Sequence, residues 1–404
     1  MKVIIIGAGI GGLCLAQRLK QSGIETAVYE RDAGPWERAQ GYRLHLDADG
    51  VTAIRAALPQ TLIPVFEATS MNPLPYTTIM DTAFKIQKRF PIDEYSKTQH
   101  HVSSGVATHF NVNRVTLREI LLDGLDDMCH WGSRLERFES DASGVTAHFS
   151  NGQSVHGDIL VGADGAGSAL RNQRAPEARF MDSGARAIYG RLSLESARRV
   201  LPPYTLADTF TAAFDARKLI LGVGPVLYPV RPDLAAQSMR PETKLSAQSD
   251  YVGCIISGRK ELFGSNDESL RAMSSDDLQR LAADLLREWP GDASQVPEAA
   301  EAGSFFYIEM TSSIPFDLKP SANVTLLGDA IHAMTPSLGR GANVALRDAN
   351  LLGSKIEEIH NGKVSIPLAL QEYEAEMTSY GFNVVRHSAE MGARLLGQDP
   401  LPEG

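Results

Sequence analysis

The sequence predicts an α/β fold: a Rossmann-like dinucleotide-binding domain, discontinuous along the chain, with an inserted mixed-sheet domain (α+β in character) and C-terminal helices. Three observations predict it. Val3–Ile6 is an apolar run that enters Gly7-x-Gly9-x-x-Gly12 and then a helical pattern. Ile159–Val161 is a second, fully apolar strand, followed by Asp164-Gly165, and Val324–Leu327, apolar but for Thr325, is a third, followed by Gly328-Asp329. Short, uniformly apolar strands that feed helices belong to parallel sheets covered on both faces, and such sheets bind ligands at the carboxyl ends of their strands.

In the first unit, Gly7 permits the tight turn, Gly9 lets backbone approach a pyrophosphate, and Gly12 lets the helix pack close to the strand. The helix, expected over 11–22, directs free N–H groups and its positive dipole end at the phosphates. A second strand over 26–30 ends in Glu30, about 18 residues after Gly12, where a carboxylate can accept hydrogen bonds from ribose hydroxyls. Glu30 is the candidate ribose ligand, and Arg31 beside it joins the cofactor-binding candidates. One Lys and an apolar run could also open a secretory signal. The fingerprint spacing of the glycines, the continuation through Gln17-Arg18-Leu19-Lys20 and the lack of a small-residue cleavage site argue against that. No other stretch approaches the roughly 18 apolar residues of a membrane span. A soluble, cytoplasmic protein is expected.

Composition narrows the function. A chain of 404 residues has room for two domains, and 43% hydrophobic with 22% charged residues is ordinary globular usage. Its 39 basic and 49 acidic side chains leave a net charge of −10, which disfavours a nucleic-acid partner and favours small-molecule chemistry. Cys14, Cys129 and Cys254 have neither paired nor metal-ligand spacing, so reduced thiols and no metal site are expected.

The middle of the chain is less regular. Residues 40–47 alternate as a strand does, placing Arg43 and His45 on one face, and a helix is expected from Asp49-Gly50 to Leu58. Residues 59–110 are proline-rich, with a strand near 77–80. Asn113 is a candidate N-cap, and Thr116-x-x-Glu119 an alternative capping box, for a helix with Leu117, Ile120, Leu121 and Leu125 on one side. Arg114 sits at that helix start, where the dipole disfavours a cation unless an anion or polar ligand faces it. Strands are expected at 134–139, 144–149 and 155–161, with hairpin turns between them. The last runs into Asp164-Gly165 and a helix, a switch-point arrangement. Residues 176–297 hold strands near 189–194, 219–224 and 251–257, a helix over 276–289, and a polar loop or lid at 231–250. Tyr189, Arg191, Phe210, Phe214, His109 and Phe305-Phe306 are the pocket candidates, set against the alternative that they are core.

The final third returns to cofactor chemistry. Gly328 leaves room for a ribityl chain and Asp329 can hydrogen-bond its hydroxyls. Pro336 and Gly339 turn the chain into a helix over 341–359, whose first residues Gly341, Ala342 and Asn343 offer N–H donors suited to the negative charge of a reduced flavin. A long amphipathic helix is expected from Pro367, and the tail after Gly397 is expected to fray. The domain division follows: 1–70, 101–175 and 305–365 bind the cofactor, 71–100 and 176–304 bind substrate, and 366–404 form a C-terminal helical segment.

Together, Gly7-x-Gly9-x-x-Gly12 with Glu30, the Asp164-Gly165 loop, and Gly328-Asp329 with Pro336 to Asn343 resemble the three motifs of the single-component FAD-dependent monooxygenases, the aromatic-hydroxylase family with the para-hydroxybenzoate hydroxylase fold. The likeness spans the chain in order, and only the three flavin segments are specific. It implies FAD as cofactor, contacted by Arg114 and held along its ribityl chain by Asp329. It places Asp164 near both FAD and transiently docked NADPH or NADH, with Arg118 as a supporting partner. It sets the 38–47 segment beside the isoalloxazine ring, which makes Arg43 a cofactor-binding candidate and Arg43 and His45 the candidates for catalysis; no active-site base is identified, and His332 is expected to be structural. The implied reaction uses NAD(P)H and O2 through a flavin C4a-hydroperoxide to hydroxylate or epoxidise an aromatic or polyketide-like small molecule, in a monomer or homodimer. Baeyer-Villiger oxygen insertion, flavin-dependent reduction and a non-catalytic ligand-binding flavoprotein are the alternatives. A halogenase is disfavoured, because Trp36, Trp131 and Trp289 are isolated and no Trp-x-Trp-x-Ile-Pro motif is present.

Overall fold

Five short strands form the sheet on which the three glycine motifs converge. In the computed structural model, which describes residues 1–37, 41–92, 108–141 and 143–402, their order is Val324–Leu326, Ile159–Gly162, Lys2–Ile6, Glu25–Tyr29 and Cys129–His130. Every neighbouring pair is parallel. Val3, Ile4, Ile5, Leu160 and Val161 are wholly buried, as strands covered on both faces must be. Helices Ile10–Gln21 and Gly341–His360 pack against each other beside this sheet.

A second sheet of seven strands runs Phe306–Ile314, Arg179–Ser193, Tyr251–Arg259, Ile220–Val226, Phe210–Phe214, Tyr76–Met80 and Ile86–Pro91. It is antiparallel except where Phe210–Phe214 meets Tyr76–Met80. One face, with Ile188, Leu192, Val223 and Cys254, is buried in a core closed by the helix Ser275–Leu286. That helix opens with a capping box between Ser274 and Asp277. The other face carries Ile79, Phe210, Ile255, Tyr189 and Phe306, all only half-buried. A two-stranded ribbon, Arg43–Leu46 with Phe110–Asn113, connects to this second face through Arg43, which lies over Phe210.

Three expectations are corrected. The strand expected over 155–161 is two strands in different sheets, Ser154–Gly157 and Ile159–Gly162. Asp158 makes the break: its N–H donates to the Lys2 carbonyl and its carboxylate accepts from the Lys2 N–H, which anchors the crossing to the first strand. The polar loop or lid expected at 231–250 contains a helix, Pro232–Met239, begun by Pro at its first position and packed on the helix Ile63–Ala68. The tail expected to fray after Gly397 is anchored at its first two residues. Gln398 is buried against Thr335, and Asp399 pairs with Arg259 at 2.8 Å while its N–H donates to Ser183. Gln40, at the edge of the expected ribbon strand, lies outside the described residues.

The C-terminal helix, Ile366–Leu396, is braced from within. Tyr373 donates to the Leu326 carbonyl, and Glu374 accepts from Thr325 and pairs with Arg174 at 2.8 Å, with both side chains of the pair about 5% exposed. Removing one partner of such a pair leaves the other charge buried and uncompensated. Glu374→Ala is expected to cost about 3–5 kcal/mol in urea unfolding; a loss below about 1 kcal/mol, the range of exposed pairs, would show the pair to be dispensable. Among the described residues no helix is long and apolar enough to cross a membrane.

Candidate cofactor and substrate site

The first strand ends in Gly7 at φ 107°, a conformation that L side chains rarely adopt. A Cβ there would strike the Ala163 carbonyl and come 2.8 Å from the Asp164 Cα, so two of the sequence motifs touch only because Gly7 has no side chain. A Cβ on Gly12 would meet the Gly7 carbonyl. Gly9 differs: its nearest neighbour would be the Ala163 carbonyl at 4.0 Å, which leaves its surface open to a ligand.

Glu30 follows the second strand and is buried. Its carboxylate accepts the Ala8 N–H at 2.8 Å and the Asp32 N–H at 3.1 Å, fixing the fingerprint turn from the side. Arg118 fixes the same turn from the other side, donating to the Ala8 carbonyl and to Pro35. Its guanidinium is held between the rings of Trp36 and Trp131. Asn113, rather than the Thr116-x-x-Glu119 box, caps the helix Arg114–Leu122 by accepting from Thr116 N–H. Gly7, Gly9, Glu30, Arg31, Arg114, Arg118 and Asp164 therefore line one cleft of about 460 Å³. Ser133, Arg134 and Phe306–Ile308 also line it, from turns and a distant strand; Phe306 is one of the expected pocket residues, and nothing local in the sequence marks the others. Arg31 is at the exposed rim.

Asp164 is turned toward the helix Ala169–Arg174 and accepts from Ser168, Ala169 and Leu170. Burial raises its pKa and these hydrogen bonds oppose the rise. Arg171, unmarked in the sequence, donates to Ala166 at 2.8 Å and Ala330 at 3.1 Å, and so ties the Asp164 loop to the Gly328-Asp329 turn.

Gly328, at φ 63°, caps the short helix Asp329–His332. A Cβ on it would lie 2.9 Å from that of Ala345, and a Cβ on Gly341 would lie 3.9 Å from the exposed Asp329 carboxylate. Pro336 starts a single 3-10 turn that ends at Gly339, φ 64°, before the helix Gly341–His360. Gly341 and Ala342 begin this helix. Asn343 has a different task from Ala342: its side chain accepts the Asp47 N–H at 3.0 Å and donates to the His45 carbonyl at 2.8 Å. Its amide is spent on the ribbon, so only its backbone could serve a cofactor. Arg340 reinforces the same joint, 3.0 Å from Asp47, with Tyr380 as a further partner.

Arg43 and His45 project from the ribbon toward Asn111, whose side-chain oxygen accepts from both, at 2.6 Å and 3.1 Å. Burial, and then the Arg43 charge, push the His45 pKa down to about 4. It is neutral near pH 7 and a poor base there. The His109 ring lies tilted beside it, with centroids 5.6 Å apart. Tyr189 and Phe306 stack on the half-buried sheet face, whereas Phe305 is core. Phe214 lies on the same strand as Phe210 and is half-buried. Arg191 pairs with Glu301 at 2.7 Å.

His332 is fully buried, with its Nε2 2.6 Å from Asp348. Asp348 also accepts the Gly328 N–H. Burial lowers the imidazole pKa, but the Asp348 charge and hydrogen bond outweigh it and the net shift is upward. A raised histidine pKa stabilises the fold fully below the unfolded value of about 6.5, and that contribution disappears as pH rises through the folded value. Thermal melts of wild type and Asp348→Asn should therefore differ most below pH 6 and converge at higher pH; a pH-independent gap would show that the imidazole stays neutral.

These features define a flavin-binding α/β protein. The family profile of the FAD binding domain matches residues 1–189 and 319–388, and the chain belongs to the FAD-dependent monooxygenases. It is 30% identical over 392 residues to an FAD-dependent urate hydroxylase of Klebsiella pneumoniae, covering 93% of this chain and 85% of that one. It is 34% identical to a dual O-methyltransferase/FAD-dependent monooxygenase of Phaeosphaeria nodorum and 32% identical to one of Cercospora beticola, covering 87% and 99% of this chain. It spans less than half of their length, 40% and 47%. Among solved structures, a protein assigned as an FAD-containing monooxygenase from Photorhabdus luminescens superposes with a TM-score of 0.80 at 27% identity, covering 97% of this chain and 98% of that one. Klebsiella pneumoniae HpxO in complex with FAD and uric acid superposes at 0.77 and 24% identity, covering 99% and 90%, which shows the shared fold.

Proposed function

We propose that this FAD-dependent monooxygenase uses NAD(P)H and O2 to hydroxylate or epoxidise an aromatic or polyketide-like small molecule. The observation that carries the reading is the convergence of Gly7, Gly9, Glu30, Arg114 and Asp164 on one cleft, beside the half-buried aromatic face of the large sheet. Bound FAD supplies electron transfer from NAD(P)H and the activation of O2, so that one oxygen atom enters the substrate and the other leaves as water.

The chain's own groups do the rest. Gly7 and Gly9 admit the pyrophosphate to the N-terminus of the helix Ile10–Gln21, and Glu30 accepts hydrogen bonds from the ribose. Arg114 and Asp164 would flank the cofactor, Gly328 and Asp329 would hold its ribityl chain, and the N–H groups that follow Pro336 and Gly339, at Gly341 and Ala342 in the first turn of the helix Gly341–His360, would stabilise negative charge on the flavin pyrimidine. In this reading 1–70, 101–175 and 305–365 carry the cofactor, 71–100 and 176–304 the substrate, and 366–404 brace the two. The fungal and bacterial relatives named as monooxygenases, one of them a urate hydroxylase, support oxygen insertion over reduction.

The decisive experiment follows NADPH and NADH oxidation, oxygen uptake and product mass across phenols, polyketides and urate. Yellow protein and an oxygenated product are expected; colourless protein would remove the cofactor assignment, and oxygen-independent reduction of the substrate would favour a reductase. For the residues, Glu30→Ala removes hydrogen bonds to a charged group, each worth about 1.5–3 kcal/mol, and should weaken FAD retention about 10- to 100-fold. Asp329→Ala should weaken it as well, and unchanged affinity in a flavin titration would count against the ribityl role.

A further inference from the structure

The half-buried face of the seven-stranded sheet holds two arginines in opposite electrostatic situations. Arg191 is neutralised by Glu301 at 2.7 Å. Arg43 has no carboxylate within ion-pair distance among the described residues: its protein partner is the neutral Asn111 oxygen, and its Nε is buried with no hydrogen-bond partner. The Nδ2 of Asn111 is also buried without a partner. Desolvation lowers the Arg43 pKa to about 10, with the Tyr251 hydroxyl opposing it. The guanidinium stays charged at neutral pH, and a charge placed this way calls for a counterion from outside the chain.

The surroundings restrict what that counterion can be attached to. Gly222 and Gly224 have no side chains, and the Phe210 ring lies flat in the space a Cβ would take, 2.7 Å and 3.2 Å from those positions. Arg43 lies over this ring, 5.9 Å from its centroid, and its Cδ would be 3.4 Å from a Cβ on Gly224. Further along the same face Ile255 and the stacked pair Tyr189 and Phe306 are half-buried. A flat apolar surface with one unneutralised cation over its Phe210 end matches a planar ring that carries an acidic oxygen.

We propose that Arg43, oriented by Asn111, is the specificity-determining residue of the substrate site and receives an ionised ring-borne oxygen, a phenolate or enolate, of a planar aromatic substrate. This rests on the monooxygenase reading above and names its substrate class. Asn111 is a positioning residue, since its oxygen holds the guanidinium in place. An ionised oxygen also enriches the ring in electrons, which oxygen transfer to carbon demands.

The test uses FAD-loaded enzyme without NAD(P)H and two probe pairs of different size. These are 1,2-dihydroxyanthraquinone with its dimethyl ether, and 2-hydroxy-1,4-naphthoquinone with its methyl ether. Wild type should bind at least one hydroxyl compound ten-fold or more tightly than its ether, and bound 1,2-dihydroxyanthraquinone should keep its red ionised spectrum to a pH at least one unit below the free dye. Arg43→Gln should abolish both effects with FAD content unchanged, Arg43→Lys should restore part of the discrimination, and Arg43→Met should melt no lower than wild type. Equal affinity for hydroxyl and ether, binding of neither pair by yellow enzyme, or discrimination that survives Arg43→Gln overturns the proposal. Loss of FAD from Arg43→Gln also overturns it and moves Arg43 to the cofactor. Wild-type protein that holds no flavin is a separate failure, of the monooxygenase reading itself.

Discussion

The contact between Gly7 and the backbone of Ala163 and Asp164 is the constraint on which the rest of the site depends. Parallel strands bring their carboxyl ends to one edge, but side chains of ordinary size would hold the first and second turns apart. With hydrogen in place of Cβ, the Ala163 N–H reaches the Ile6 carbonyl at 2.7 Å and the two turns form one wall. Glu30 and Arg118 then clamp opposite sides of Ala8, so the open surface at Gly9 is held still by a carboxylate and a guanidinium that also line the cleft. Preorganisation here is the work of charge-assisted hydrogen bonds to backbone, which resist displacement more than neutral ones do.

The same logic is repeated where the third turn meets the ribbon. Asn343 and Arg340 grip Asp47 and His45 from the start of the helix Gly341–His360, while Arg171 reaches from the second turn to Ala330 in the third. Asn343 and Arg171 spend their polar groups on backbone, and Arg340 has the Asp47 carboxylate 3.0 Å away. Arg43 is the contrast: it faces the large sheet from the same ribbon with its Nε unmet. The arginine at the joint has a carboxylate beside it, and the one that faces the aromatic surface has none within ion-pair distance among the described residues.

Much of this was legible in the sequence, and the pattern of what was not is instructive. The fingerprint helix, the Asn113 cap, the helix after Ser274 and the long C-terminal helix follow from local rules, since caps and apolar periodicity are short-range signals. The break at Asp158 was hidden, because an uninterrupted strand pattern does not say which partner each half pairs with. The order of the tail was hidden for a similar reason: Gln398 and Asp399 look like loop residues until Thr335 and Arg259, far away in the chain, are brought beside them. Ser133, Arg134, Arg171 and Asp348 reach the site region, or support it, only through contacts distant in sequence.

By itself, the sequence determined the cofactor class and the order of the turns that bind it, because glycines that must lack a Cβ and acids that end strands are local requirements written at local spacing. Only the tertiary structure decided which charges are neutralised. Arg191 and Arg43 look equivalent in the sequence; pairing across strands gives Glu301 to one and leaves the other among Phe210, Gly224 and Asn111, because a counterion is a matter of distance in space.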